Sequence, residues 1–184
     1  MNITTDPHYQ AIQAFYGDRR AKRSGVVYIQ HINEGLLVLD AIDAPLPARQ
    51  AYCLHPIVQG STELSTAFQP TSVLYQYPID MYALALAIEY RWVANSYLSQ
   101  RTIHSLDEIQ LSPLPDVQQM LIADKVQNRK DFERYQRETH PRAGELERYF
   151  RHWLAVLRIS ETRYQELVRC IDSVYPPERM RDHL

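Results

Sequence analysis

Three short stretches of the chain carry side chains that could do chemistry. In the first, Lys22-Arg23-Ser24-Gly25 leads into Tyr28-Ile29-Gln30-His31. Arg19, Arg20, Lys22 and Arg23 put four cations within five positions. Guanidinium groups bind phosphate oxygens bidentately, so the run reads as a phosphate grip or as a solvated basic turn. In the second, the apolar run Tyr52-Cys53-Leu54 ends in His55-Pro56. That places an imidazole at the edge of the core, either as a satisfied core residue or as a ligand. In the third, Asp124 follows Met120-Leu121-Ile122-Ala123, with Asn128 four positions on and on the same helix face. A buried carboxylate costs several kcal/mol unless it is paired or coordinates a metal. A salt bridge to a nearby Lys or Arg is the alternative to a metal.

The elements that must position these residues read as helices. Asp6 is a good N-cap, Pro7 suits the first helical position, and Gln10 is read as closing a capping box. Residues 26–29 read as a short extended stretch. A second helix starts near His31 with Ile32, Leu36, Leu39 and Ile42. Pro47 opens a third, which runs towards His55-Pro56, where proline is expected to kink or end it. Residues 60–79 read as loop with one helical turn. From Met81 to Leu98 a long helix follows Asp80, with Leu84, Ile88 and Trp92 at spacing four. A further helix covers about 116–138. In 142–157, Leu146, Tyr149, Phe150, Trp153, Leu154 and Leu157 form one stripe at the 3.6-residue period. Ser160 caps a last helix that ends before Pro176-Pro177. The fold class expected is all-α, one helical domain over residues 1–184.

Composition narrows the class. The chain has 184 residues, 45% hydrophobic and 23% charged, with a net charge of -2. That suits one soluble domain and argues against a protein that coats nucleic acid. Two distant cysteines, Cys53 and Cys170, exclude a disulfide scaffold and a cysteine-rich zinc module. No apolar run approaches the ~18 residues of a membrane span, and the N-terminus has no signal-peptide pattern. A cytoplasmic location and no membrane partner are expected. The five glycines are too widely spaced to write a GxGxxG or P-loop motif.

The three stretches, in this order, resemble the hydrolase domain of RelA/SpoT-type alarmone enzymes and of the small stand-alone alarmone hydrolases. Those are HD-domain metal-dependent phosphohydrolases. The family pattern basic-Ser/Asp-Gly-x-x-Tyr-Ile-x-His reads here Lys22-Arg23-Ser24-Gly25-Val26-Val27-Tyr28-Ile29-Gln30-His31. Leu-Leu-His-Asp, followed by a Glu-Asp pair, reads Cys53-Leu54-His55-Pro56, followed by Gln59-Gly60. Leu-Ala-Asp-Arg/Lys-x-x-Asn reads Ile122-Ala123-Asp124-Lys125-Val126-Gln127-Asn128. Arg148 to Trp153 also looks like the helix that follows in the small hydrolases. The resemblance spans about residues 8–160, leaving 161–184 as a C-terminal helix.

It implies an HD-type bundle with His31, His55 and Asp124 as metal ligands for Mn2+ or a similar divalent ion. Two His and one carboxylate can hold such an ion with positions left open, and the ion would lower the pKa of a bound water. It implies that Lys22, Arg23, Ser24 and Asn128 contact a phosphorylated nucleotide, a guanosine alarmone in the family. Pro56 replaces a ligand, and Gln59 and Gly60 replace the water-activating acids. Gln59 can orient a water but cannot take its proton; Glu89, in Glu89-Tyr90-Arg91, is the candidate substitute acid, with a surface charge as the alternative. Losing a base costs about 10²–10⁴-fold in rate. The reading favoured is a nucleotide-binding pseudoenzyme. The others are an active phosphohydrolase and an interaction module whose Tyr-rich surface makes a homo-oligomer or docks a partner protein.

Overall fold

The computed structural model describes residues 3–22 and 24–177. They form eight α-helices: α1 Pro7–Tyr16, α2 Ile29–Ala41, α3 Leu46–Gln59, α4 Ser61–Ala67, α5 Met81–Ser96, α6 Pro115–Tyr135, α7 Ala143–Val156 and α8 Glu161–Val174. Short 3-10 turns lie at Ile3–Thr5, Val73–Gln76 and Leu106–Glu108. Among the described residues no strand forms, and the stretch 26–29 contributes only an isolated bridge, Val27 to Arg20. The fold is all-α, as the patterning predicts. No helix among the described residues is long and apolar enough to cross a membrane.

Side-chain caps set three of the eight α-helix starts. Asp6 caps α1 by accepting from the His8 amide at 2.9 Å. Gln10 falls at the fourth helical position, one past the place a capping box requires. Gln50 of α3 instead donates to Asp6 Oδ2 at 2.9 Å, so this cap is finished by a tertiary partner. Asp80 caps α5 through the Ala83 amide, and Ser160 caps α8 through the Arg163 amide.

Two expectations are corrected by packing. α3 does not end at Pro56 but runs through it to Gln59. Its residues Ala51 to His55, Ile57 and Val58 are buried against α1, α5 and α6, and that burial outweighs the ~3 kcal/mol cost of an interior proline. On α5 the stripe Leu84–Ile88–Trp92 is not the buried face. Ala83, Leu86, Ala87, Tyr90 and Ala94 are buried with Leu84, while Trp92 is 64% exposed. The alanines let α5 lie close on α3, so small residues, not the large ones, mark the contact face. Residues 60–79 also hold more helix than expected, in α4 and the turn at Val73–Gln76. On α7 the predicted stripe is buried as read.

α2, α3 and α6 pack on one another, with α5 closing the far side of α3 and α6. Those three helices carry His31, His55 and Asp124. α8 then clamps α6: Arg129 makes two 2.8 Å bonds to Glu161, its guanidinium lies 3.9 Å from the Tyr164 ring, and Arg134 reaches Asp172.

Candidate metal centre and its cleft

His31 sits in the first turn of α2, His55 in the last turn of α3, and Asp124 in the middle of α6. Their ligand atoms all lie within 4.8 Å of one another, and the group could hold a metal ion. His31 Nε2 is 3.2 Å from His55 Nε2 and 3.7 Å from Asp124 Oδ1. Metal–nitrogen bonds of about 2.0–2.1 Å put neighbouring ligands roughly 3.0–3.5 Å apart; the His31–His55 separation falls in that range and the His31–Asp124 separation slightly exceeds it. His55 and Asp124 are buried; His31 is half-buried and opens onto the cleft.

The other nitrogens of the rings say which way the lone pairs point. His55 Nδ1 donates to the Tyr52 carbonyl oxygen at 2.6 Å. His31 Nδ1 donates to Gln127 Oε1 at 2.7 Å. Both oxygens are acceptors, so Nδ1 carries a proton in each ring, and in the neutral form Nε2 keeps its lone pair; on His31 the Tyr52 hydroxyl approaches that atom at 3.4 Å. Two lone pairs meeting at 3.2 Å repel unless a proton or a metal ion lies between them. Outer acceptors on the distal nitrogen are the usual companion of a metal-bound histidine.

Burial and charge pairing keep His55 and Asp124 in ligand form. Burial, helped by the neighbouring His31, depresses the His55 pKa to about 3, so it is neutral. Burial pushes Asp124 upward, but Lys125, then His31 and His55, outweigh it and hold the carboxyl at about 2. Lys125 Nζ lies 2.9 Å from Asp124 Oδ2. Burial disfavours its charge, but Asp124 wins and the ammonium stays above its ordinary range. It rests over Trp153 at 4.9 Å. Asp124 thus makes, through Oδ2, the lysine salt bridge that is the alternative to a metal, while Oδ1 faces His31 and accepts from Asn128 Nδ2 at 2.7 Å. The Tyr52 and Tyr90 rings pack on His55 at 4.7 and 4.8 Å.

A cleft of about 1010 Å³ opens from this group. Its lining includes His31, Asp124, Lys125, Gln127 and Asn128, the loop residues Lys22 and Ser24, and aromatic walls from Tyr16, Tyr28, Phe132, Tyr135 and Tyr149. Arg142 and His140 line its far end. Of the basic run, Arg19 folds back on the loop, bonding the Phe15 and Tyr16 carbonyls and stacking on nearby rings. Arg20 bonds the Gly25 carbonyl. Lys22 is left to face the cleft, with Ser24 beside it; Arg23 lies outside the described residues. Gln59 lines the cleft, and its backbone oxygen is held by Arg91 at 3.0 Å and Asn95 at 2.9 Å. Glu89 is half-buried on α5 and is not among the lining residues.

Sequence reasoning missed the shell behind His31. Gln127 Nε2 donates to Glu34 Oε2 at 3.0 Å and to Asp131 Oδ2 at 2.8 Å. Lys130 Nζ sits between the same two carboxylates, 2.8 Å from Glu34 Oε2 and 2.6 Å from Asp131 Oδ1. Glu34 and Lys130 are buried almost completely. The signal was present: Asp124, Gln127, Asn128 and Asp131 fall at offsets 0, 3, 4 and 7, a polar stripe down one face of an otherwise buried helix.

The class defined at this point is an all-helical protein with a two-histidine, one-carboxylate group at the head of a large polar and aromatic cleft. No family model, curated protein or solved structure matches the chain.

Proposed function

We propose that this chain is a divergent HD-type protein that holds a divalent transition ion, Mn2+ or similar, on His31, His55 and Asp124. It binds a phosphorylated nucleotide in the adjoining cleft, with hydrolytic turnover reduced or lost. The observation that carries this reading is the convergence of His31 Nε2, His55 Nε2 and an Asp124 oxygen within 4.8 Å of one another. An ion there supplies Lewis-acid polarisation of a phosphoryl oxygen.

The ligand's charge follows from the balance of the site. Lys125 already offsets Asp124. A divalent ion added to two neutral imidazoles and that pair leaves net positive charge, which favours an anion. Lys22 and Ser24 offer further donors at the loop, and the tyrosine and phenylalanine walls suit the face of a base. The cleft is at the upper end of the roughly 300–1,000 Å³ usual for ligand pockets. The resemblance in motif order favours a guanosine alarmone among nucleotides.

Turnover is the weak point. Gln59 has no proton-accepting side chain, Glu89 does not line the cleft, and Asp131 is engaged by Lys130 and Gln127. Without a free carboxylate base, a loss of about 10²–10⁴-fold is expected.

The test combines elemental analysis, calorimetry with guanosine tetraphosphate in the presence of Mn2+, and a hydrolysis assay. One ion per chain, nucleotide binding and turnover well below ~1 s⁻¹ are expected. Turnover above that rate, abolished in His55→Ala, would make the protein an active phosphohydrolase instead. No metal and no nucleotide binding would overturn both readings.

A further inference from the structure

We propose that Gln127 is a positioning residue that fixes the tautomer of His31, and that the Glu34–Lys130–Asp131 cluster, with Glu34 and Lys130 buried, fixes Gln127 in turn. The proposal rests on the metal reading for its purpose but not for its geometry.

An amide side chain can turn end for end, exchanging its oxygen and nitrogen at little cost in shape. Here one orientation is imposed. The two hydrogens of Gln127 Nε2 go to two carboxylate oxygens, Glu34 Oε2 and Asp131 Oδ2, at 3.0 and 2.8 Å. Turned over, the amide oxygen would face both carboxylates and lose both donations, inside the protein. Gln30 Nε2, at 3.3 Å from Glu34 Oε1, and Lys130 hold Glu34 in place from its other sides. The carboxylates therefore aim Gln127 Oε1 at His31 Nδ1, 2.7 Å away. An oxygen there accepts and cannot donate, so the ring proton goes to Nδ1. Nε2 is left bare, facing His55 Nε2 and Asp124. The order of control runs from a buried ion pair, through one amide, to the lone pair that a metal would use. None of this is a contact with an ion or substrate, which makes Gln127 a positioning residue and not a ligand.

The experiment reads the tautomer directly. Long-range proton–nitrogen NMR on the metal-free chain, labelled at histidine, assigns which ring nitrogen of His31 is protonated. Wild type is expected to show His31 with Nδ1 protonated and Nε2 bare. In Gln127→Met, which keeps length and removes both amide groups, the Nε2-protonated form should gain population. Mn2+ affinity should fall by about 10–100-fold, the usual effect of losing an outer partner of a ligand. Glu34→Gln, which leaves the amide free to turn, should give the same shift in smaller measure.

Wild-type His31 protonated on Nε2 overturns the proposal, whether or not any variant folds. So does a folded Gln127→Met with an unchanged tautomer or, where wild type binds Mn2+, with unchanged affinity. If the tautomer shifts as expected but wild type binds no Mn2+, the positioning role stands and the metal reading fails.

Discussion

His55 Nδ1 bonds the Tyr52 carbonyl oxygen, 2.6 Å away and three residues back on the same helix. In a regular helix that oxygen would accept from the amide of residue 56. Residue 56 is proline and has no amide hydrogen, so the carbonyl is open to the imidazole. The proline that interrupts the helical ladder thus frees an acceptor that orients the preceding histidine.

Pro56→Ala should therefore move two properties in opposite directions. The new amide restores a helical bond and removes ring strain, raising stability by about 1–3 kcal/mol. It also competes for the Tyr52 carbonyl, and Mn2+ affinity should fall about tenfold. Denaturant unfolding and calorimetry on one preparation check both signs; equal or tighter metal binding would refute the orienting role.

Adding a divalent ion should stabilise the native chain. Two facing lone pairs favour the ion-bound form, and binding to the native state alone adds about 2.7 kcal/mol at one hundred times the dissociation constant. Thermal unfolding with Mn2+ and then with excess chelator should show a reversible rise and fall in midpoint. His55→Ala should remove the response.

Lys130 and Glu34 form an almost fully buried pair at 2.8 Å, joining α6 to α2 behind His31. Lys130→Met leaves the Glu34 charge with only amide donors. A cost of about 3–5 kcal/mol is expected in urea unfolding, the usual result of breaking a buried pair from one side. A cost under about 1 kcal/mol would mean the pair is not as dry as its burial indicates.

Gly35 lies one turn after His31, and a Cβ there would overlap the ring and hydroxyl of Tyr52. Tyr52 is fully buried, so the ring has nowhere to retreat. Gly35→Ala should destabilise by about 1–3 kcal/mol, as overpacking does. Because Tyr52 also touches both histidines, the variant should weaken Mn2+ binding as well.

Asp6 gives a pH dependence away from the site. Burial raises its pKa, but donation from Gln50 and then His8 more than offsets this, and the carboxyl lies below 3.8. The folded value is thus below the unfolded one. Its contribution is full above the ordinary carboxylate range and is lost as pH falls through 3.8 towards the folded value. Asp6→Asn keeps a capping oxygen without a charge. Its stability should fall less steeply than that of wild type between about pH 5 and 3, measured by urea midpoints across that range.

The amino-acid sequence by itself determined most of the helices and which residues could do chemistry. Asp6, Asp80 and Ser160 act on amides two or three residues away. The α7 stripe follows from a repeat of 3.6 residues. Such effects are local and need no knowledge of neighbours. Positions 55 and 124 were legible because a histidine or an aspartate set against an apolar run needs a partner; His31 joined them only through the resemblance in motif order. The tertiary structure alone decided the rest. Gln127 meets His31 across 96 residues of chain, and the Glu34–Lys130 pair exists only because α2 and α6 lie side by side. Burial carried α3 through Pro56 and turned the alanines of α5, not Trp92, towards the core. Ring orientation and protonation depend on what faces each nitrogen, and distant helices supply part of that environment.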